Sequence, residues 1–236
     1  MKSDTPIYVL KRNAKRLSRE NGIPRHEALR RVAASQGFQS WSLLAARRPA
    51  AESTGLLPLL APGDLVLVGA RPGQGKTLLC LRLAAEAVAA GRAAAFFTLE
   101  YTERDVVERF RAIGVDPSRL DGGFRFDSSD AISAGYIAAA LATAGPGTVA
   151  IVDYLQLLDQ KRNKPDLAAQ VAALKAFARE KGIVLVCIAQ IDRAYDPSAK
   201  PFPDLADVRL PNPLDLGLFD KAIFLSGGEA RFHAAG

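Results

Sequence analysis

A glycine-rich segment at residues 69–77, GARPGQGKT, constrains this chain more than any other feature, because it demands a strand before it, a turn within it and a helix after it. Such a turn lets backbone N–H groups converge on phosphate oxygens, while a lysine reaches the β- and γ-phosphates and a hydroxyl faces Mg²⁺. Gly73, Gly75, Lys76 and Thr77 stand in those roles, and the cradle as a whole runs through Ala70, Arg71, Pro72, Gly73, Gln74, Gly75, Lys76, Thr77 and Leu78. The flanks agree. Leu65, Val66, Leu67 and Val68 form a short apolar run suited to a buried parallel strand, and residues 78–90 are good helix formers. The general pattern G-x-x-x-x-G-K-[ST] is met except at its first glycine, where this chain has Ala70 with Gly69 one residue earlier.

The chain has 236 residues and 49% hydrophobic content, enough for one α/β domain with a small appendage. Its longest apolar runs, such as 183–189, are far shorter than a membrane span, and the polar start MKSDTPIYVLKRN has no signal-peptide core, so a cytoplasmic location without membrane partners is expected. Cys80 and Cys187 both sit in apolar surroundings and read as small buried hydrophobes. His26 and His233 have no accompanying cysteines, which speaks against a structural zinc site. The net charge of +6 is unevenly placed: residues 1–50 carry +8 and the rest −2. A basic appendage on a near-neutral body suggests a polyanionic partner, of which nucleic acid is the usual one.

The basic segment reads as three helices, at 9–20, 25–35 and 40–47. Ala28, Leu29, Val32 and Ala33 recur at helical spacing, and Phe38, Trp41, Leu43 and Leu44 are expected to close one small core. Two readings of this all-α module stay open: a helix-turn-helix variant that contacts DNA, and a docking module whose arginines form a solvated face. Domain boundaries are placed at 1–48 for the module, 49–56 for a linker of small, polar and proline content, and 57–236 for the main domain. There, apolar runs at 65–68, 93–99, 148–152, 183–189 and 222–225, with a possible short one at 124–126, alternate with helical segments at 78–90, 103–113, 131–143 and 167–181. That alternation is the signature of a mainly parallel sheet flanked by helices, the α/β class.

Three of the runs end on a lone polar residue, at Glu100, Asp153 and Gln190. In open α/β sheets the ligand lies outside the carboxyl ends of the strands, so their coincidence with a phosphate loop makes them candidate catalytic residues together with Lys76. Nucleotide hydrolysis needs a metal anchor, a group that orients or deprotonates water, and a sensor of the γ-phosphate. Asp153 suits the first, Glu100 the second and Gln190 the third, with Thr77 and Asp153 as the metal pair.

Four blocks in order now amount to a recognisable pattern: GARPGQGKT at 69–77; FFTLE at 96–100 followed by a helix bearing Arg109; VDYLQLL at 152–158; and Ala189-Gln190. The chain resembles the C-terminal ATPase domain of DnaB-type replicative helicases, within the RecA-like P-loop group. The ARPxxGKT form, with alanine at the first glycine position, is typical of that family, so the resemblance accounts for Ala70. It implies ATP and Mg²⁺ as cofactors, phosphate and magnesium binding by Lys76 and Thr77, water activation by Glu100, magnesium support by Asp153, and coupling of γ-phosphate state to neighbouring loops by Gln190. The likeness covers about residues 57–193.

It weakens toward the end. Asp207-Val208-Arg209 resembles an element of the family, but LPNPLDLGLF replaces the Gly-Ser-rich segment that normally follows. Residues 219–226 resemble the last core strand, after which Ser226-Gly227-Gly228 stands where the family carries an arginine that reaches the adjacent subunit; Arg231 and Arg193 are the candidates to replace it. The chain is expected to stop short of the family's terminal strands. The reading favoured is a Mg-dependent ATPase acting on or with DNA, single-stranded DNA included, as a homo-oligomer or with a protein partner. The alternatives are an ATP-dependent switch or assembly factor without unwinding, favoured by the prolines between Asp196 and Pro213, and a DNA-binding regulator with a weak ATP site.

Overall fold

Six apolar residues in a row, Leu65–Ala70, cannot alternate between core and solvent, and every one of them is buried in β1. The computed structural model, which describes residues 7–46, 55–159, 165–197, 199–210, 212–227 and 229–234, seats β1 inside a sheet covered on both faces. Residues 49–54 of the expected linker, and Arg47 at the expected end of the third helix, lie outside the described residues. The other strands are β2 (Ala94–Thr98), β3 (Phe124–Asp127), β4 (Val149–Asp153), β5 (Val184–Gln190), β6 (Lys221–Ser226) and β7 (Glu229–Ala234). Their order across the sheet is β3-β2-β4-β5-β1-β6-β7, parallel except for β7.

The register sets what meets at the carboxyl edge. Ala70 of β1 pairs with Gln190 of β5, and Thr98 of β2 pairs with Asp153 of β4. One apolar layer packs under α4 (Lys76–Ala89) and α5 (Glu103–Ala112), with Leu81, Leu83, Val106 and Phe110 fully enclosed. The opposite layer lies under α6 (Ala134–Ala140) and α7 (Leu167–Lys181), with Ile137, Val171 and Leu174. Cys80 and Cys187 are both buried, each in its own layer. Burial drives the Cys187 thiol up to about 12, so it remains a neutral hydrophobe.

Two elements depart from the sequence expectations. The helix expected at 131–143 is shortened to Ala134–Ala140, because Ser133 caps it by accepting a hydrogen bond from the Tyr136 N–H, and Ser129 and Asp127 hold the preceding residues in polar turns. β7 has no counterpart among the expected strands. It turns back at Gly227 (φ 64°) and pairs antiparallel with β6, putting Phe232 on one face and stacking His233 edge-on against Phe224, 5.5 Å between centroids.

The basic segment forms α1 (Ile7–Glu20), α2 (Arg25–Ser35) and α3 (Trp41–Ala46). They share a small core of Leu10, Ala14, Ala28, Val32, Ala33, Trp41 and Leu44, separate from the two layers of the sheet. Leu43 is not part of it, contrary to the expectation that it helps close this core; it lines the cavity at the phosphate loop instead.

Gly69 belongs to β1 and not to the turn. A Cβ there would lie 2.7 Å from Cε1 of Phe224 and 3.2 Å from Cδ1 of Ile191, both buried. Gly69→Ala is therefore expected to cost about 1–3 kcal/mol in urea unfolding. Adding Phe224→Leu should recover part of that loss, and strict additivity of the two changes would show that the close approach is not the cause.

Candidate active site

β1 ends at Ala70, whose carbonyl accepts the Ile191 N–H, and the chain then turns through Gly73 (φ 76°) and Gly75 (φ 92°) into α4. A Cβ on either glycine would meet no atom within 4 Å. Glycine is required here by the left-handed backbone, and the space in front of the turn is open. α4 begins at Lys76 with no side-chain cap. The free N–H groups and the helix dipole, worth about half a positive charge, make this terminus a site for an anion. Gly73, Gly75, Lys76, Thr77 and Leu78 line a cavity of about 210 Å³. The remaining cradle residues serve the frame. Arg71 donates from its guanidinium to the Tyr195 carbonyl (3.2 Å), and Gln74 Oε1 accepts the Gly227 N–H (3.2 Å). Pro72 occupies the turn between them.

Beneath the turn, the buried Thr77 Oγ1 donates to Oδ2 of Asp153 at 3.0 Å. Asp153 is wholly enclosed, and its Oδ1 is buried without a hydrogen-bond partner. Burial pushes its carboxyl up from the usual 3.8 to about 6, against the opposing pull of the Thr77 hydroxyl and the nearby Lys76. Two hard oxygen donors with an unsatisfied carboxylate oxygen between sheet and loop fit a small divalent cation that takes one or two protein ligands beside phosphate oxygens.

Tyr101 and Arg109 form the outer wall. The Arg109 guanidinium lies 4.0 Å from the Tyr101 ring centroid and donates to the Asp105 carbonyl at 2.9 Å, so the cation is held toward the cavity that both residues line. Sequence reasoning misses Tyr101, although its position directly after Glu100 at a strand end is a usable signal. Its hydroxyl is held up in pKa by burial and by the negative charge of Asp153, so it stays protonated.

Glu100 and Gln190 are less tightly placed. Glu100 is exposed, its N–H donating to Thr98 Oγ1 at 3.0 Å, and it lines a neighbouring cavity of about 510 Å³ with Tyr101 and Asp130. Its charge still raises the Asp153 carboxyl, so the two are electrostatic neighbours. Gln190 closes β5 beside Ala70, and its carbonyl accepts the Arg209 N–H at 2.8 Å. Gln156 reaches the Arg209 carbonyl from the other side at 2.9 Å. The segment Asp207-Val208-Arg209 is thus tied to the end of β5. Arg193 is exposed in a turn, and Arg231 lies in β7 with its guanidinium 4.2 Å over the Phe202 ring.

A parallel sheet whose interior strand β1 feeds a glycine-rich loop, with a hydroxyl–carboxylate pair under the loop, defines a P-loop fold of RecA-like architecture. A family model for the DnaB-like helicase C terminal domain matches residues 55–125 and 126–212, and the chain belongs to that family. It is 29% identical over 181 residues to a protein of Chlamydia trachomatis serovar L2 named as a probable plasmid replicative DNA helicase, covering 64% of this chain and 40% of that one. The chain thus spans about 40% of the length of the curated relatives it matches. A DnaB-like replicative helicase solved in a study of its interactions with primase is similar in fold, with a TM-score of 0.59 at 17% identity over 92% of this chain and 66% of the other. A separately solved ATPase domain gives 0.58 at 19% identity over 72% and 74%.

The raised Asp153 pKa carries a stability consequence. Between 3.8 and about 6 the folded protein holds a proton that the unfolded chain has released. Stability from this group therefore falls as pH rises through that window and is level above it. Asp153→Asn should remove the slope and, without metal, stabilise the protein at pH 7.5 by about 3 kcal/mol. Urea melts from pH 4 to 8 test this; an unchanged slope in the variant would assign the pH dependence elsewhere.

Proposed function

We propose that this chain binds ATP with Mg²⁺, hydrolyses it, and acts on or with single-stranded DNA. The observation that carries the reading is the Thr77–Asp153 pair, buried directly under a glycine turn that opens onto an uncapped helix terminus. In this reading the first-turn N–H groups of α4 and the Lys76 ammonium hold the β- and γ-phosphates. Thr77 Oγ1 and Asp153 would hold the magnesium, which when bound neutralises charge developing on the phosphate oxygens. Glu100, exposed at the end of β2 and near Asp153, accepts the proton of the attacking water or orients it. Arg109, steadied by the Tyr101 ring, adds positive charge on the cavity's outer side. Gln190 transmits the γ-phosphate state through the Arg209 segment that its carbonyl anchors.

The module at 1–48 supplies the nucleic-acid contact. Arg12, Lys15 and Arg19 are exposed and recur at i, i+3 and i+7 on α1, one face of the helix. Arg30 and Arg31 are less available, since both are paired with Glu27, whose carboxyl they hold down at about 2. Phosphate contacts by three such residues contribute about 2 to the logarithmic salt slope of single-stranded DNA binding.

One observation favours a second reading, a nucleotide switch with slow turnover. Arg231 packs on Phe202 of its own chain. An arginine supplied by a neighbour is worth about 10³–10⁵ in rate, so a subunit without one turns over slowly. The DnaB-like helicase solved in connection with primase makes a protein partner, or further copies of this chain, the natural sources of such a residue.

ATP turnover measured with and without single-stranded DNA, across protein concentration, separates the readings. Lys76→Ala and Glu100→Gln should each lower turnover by about 100-fold or more, with nucleotide still bound by the Glu100 variant. Turnover that rises with DNA and with protein concentration supports the DNA-acting ATPase; DNA-independent, concentration-independent turnover supports the switch. Replacing Arg12, Lys15 and Arg19 together by alanine should flatten the salt slope by about 2. An unaltered slope would move the DNA contact off α1.

A further inference from the structure

The phosphate cavity is not walled by the sheet domain alone. Ser40 and Leu43, just before and on α3 of the helical module, line it together with Gly73 and Gly75. The contact has a second part: Lys11 Nζ of α1 donates to the Gly227 carbonyl at 2.6 Å, and the Gly227 N–H donates to Oε1 of Gln74 inside the loop. The module therefore faces the phosphate loop across this cavity through its third helix and reaches it through the hydrogen-bonded path Lys11, Gly227, Gln74.

Three features make this contact a reversible one. The module encloses its own core around Trp41 and shares none of it with the sheet layers, so it can move as a unit. Among the described residues, its attachment over the loop includes a half-buried leucine and a charged hydrogen bond from Lys11, both at the surface of the sheet domain rather than in its core. With α3 in place the cavity measures about 210 Å³, below the roughly 300–1,000 Å³ of small-molecule sites. A triphosphate chain fits such a space, and Ser40 and Leu43 take up part of the wall that a nucleoside attached to it would need.

Building on the reading of this cavity as a nucleotide site, we propose that α3 is an intramolecular cap that opposes nucleotide entry, and that nucleotide binding displaces the module from the loop. Docked and undocked forms are two states with different affinity for nucleotide, so apparent affinity scales with the undocked fraction. Linkage then runs both ways: a ligand that holds the module away from the loop tightens nucleotide binding by the factor by which nucleotide releases the module.

Two measurements on the full chain test it. Lys11→Ala removes the charged tether, and fluorescence polarisation with mant-ATP should show affinity roughly three- to tenfold tighter than in the unaltered chain. Simple loss of a cation near phosphates predicts the opposite sign. In the second, Leu43→Cys places a thiol on the cap, while the native Cys80 and Cys187 are buried and contribute little background. A non-hydrolysable ATP analogue should accelerate its alkylation by maleimide at least about threefold if the cap swings out, as a shift toward the undocked state requires. Slower or unchanged alkylation, or equal or weaker mant-ATP binding by Lys11→Ala, overturns the cap and leaves the nucleotide site standing. No mant-ATP binding by either the unaltered chain or Lys11→Ala overturns the nucleotide reading itself.

Discussion

The Asp153 carboxylate ends a fully buried strand, and one of its oxygens takes the Thr77 hydroxyl while the other has no partner. This pair joins the last residue of β4 to the first turn of α4 and so fixes the phosphate loop against the sheet. An ionised carboxylate in that position is costly to bury, as its elevated pKa records. The surrounding apolar strands offset that cost: β1, β2 and β4 are buried along their whole length, and their parallel register leaves no freedom to withdraw the acid toward solvent. A group that destabilises the protein in this way, and that a bound cation would relieve, suits the magnesium role proposed for it.

The same register explains how separate parts of the chain come together. Ala70 beside Gln190 and Thr98 beside Asp153 place the ends of β2, β4, β5 and β1 in one row, with the phosphate loop rising from β1 at one end of it. Gln190 is then continuous, through its carbonyl and Arg209, with the segment that Gln156 holds from below. In the proposed nucleotide reading, a displacement at the γ-phosphate position has a short hydrogen-bonded route to the 207–209 segment, and a separate one through Gln74 and Gly227 to the helical module.

Much of this is legible in the sequence, for reasons that differ by element. Buried parallel strands read as unbroken apolar runs, so all five main ones show within a residue or two, and the short β3 is visible as a possibility. β7 is hidden, because EARFHA is a short alternating segment beside a double glycine and gains its strand state only by pairing with β6. α6 is overestimated because alanine-rich composition favours helix, whereas Ser133 and the turns around Asp127 decide where it starts. Leu43 is expected to close the module core with Leu44, but on this six-residue helix Trp41 and Leu44 enter that core while Leu43 lines the cavity at the phosphate loop.

By itself, the sequence determined the local chemistry: a turn only glycine can make, a lysine and a hydroxyl at a helix start, and acids and amides at the ends of apolar runs. Those follow from short-range sterics and from the period of burial, which a single chain displays in order. Tertiary structure alone decided which of these groups meet. It brought Thr77 to Asp153 across seventy-six positions of sequence, kept Glu100 at the exposed edge of a neighbouring cavity, and set α3 over the loop. The physical reason is that strand register and the packing of one apolar layer on another are long-range conditions, satisfied by the whole sheet and by no segment alone.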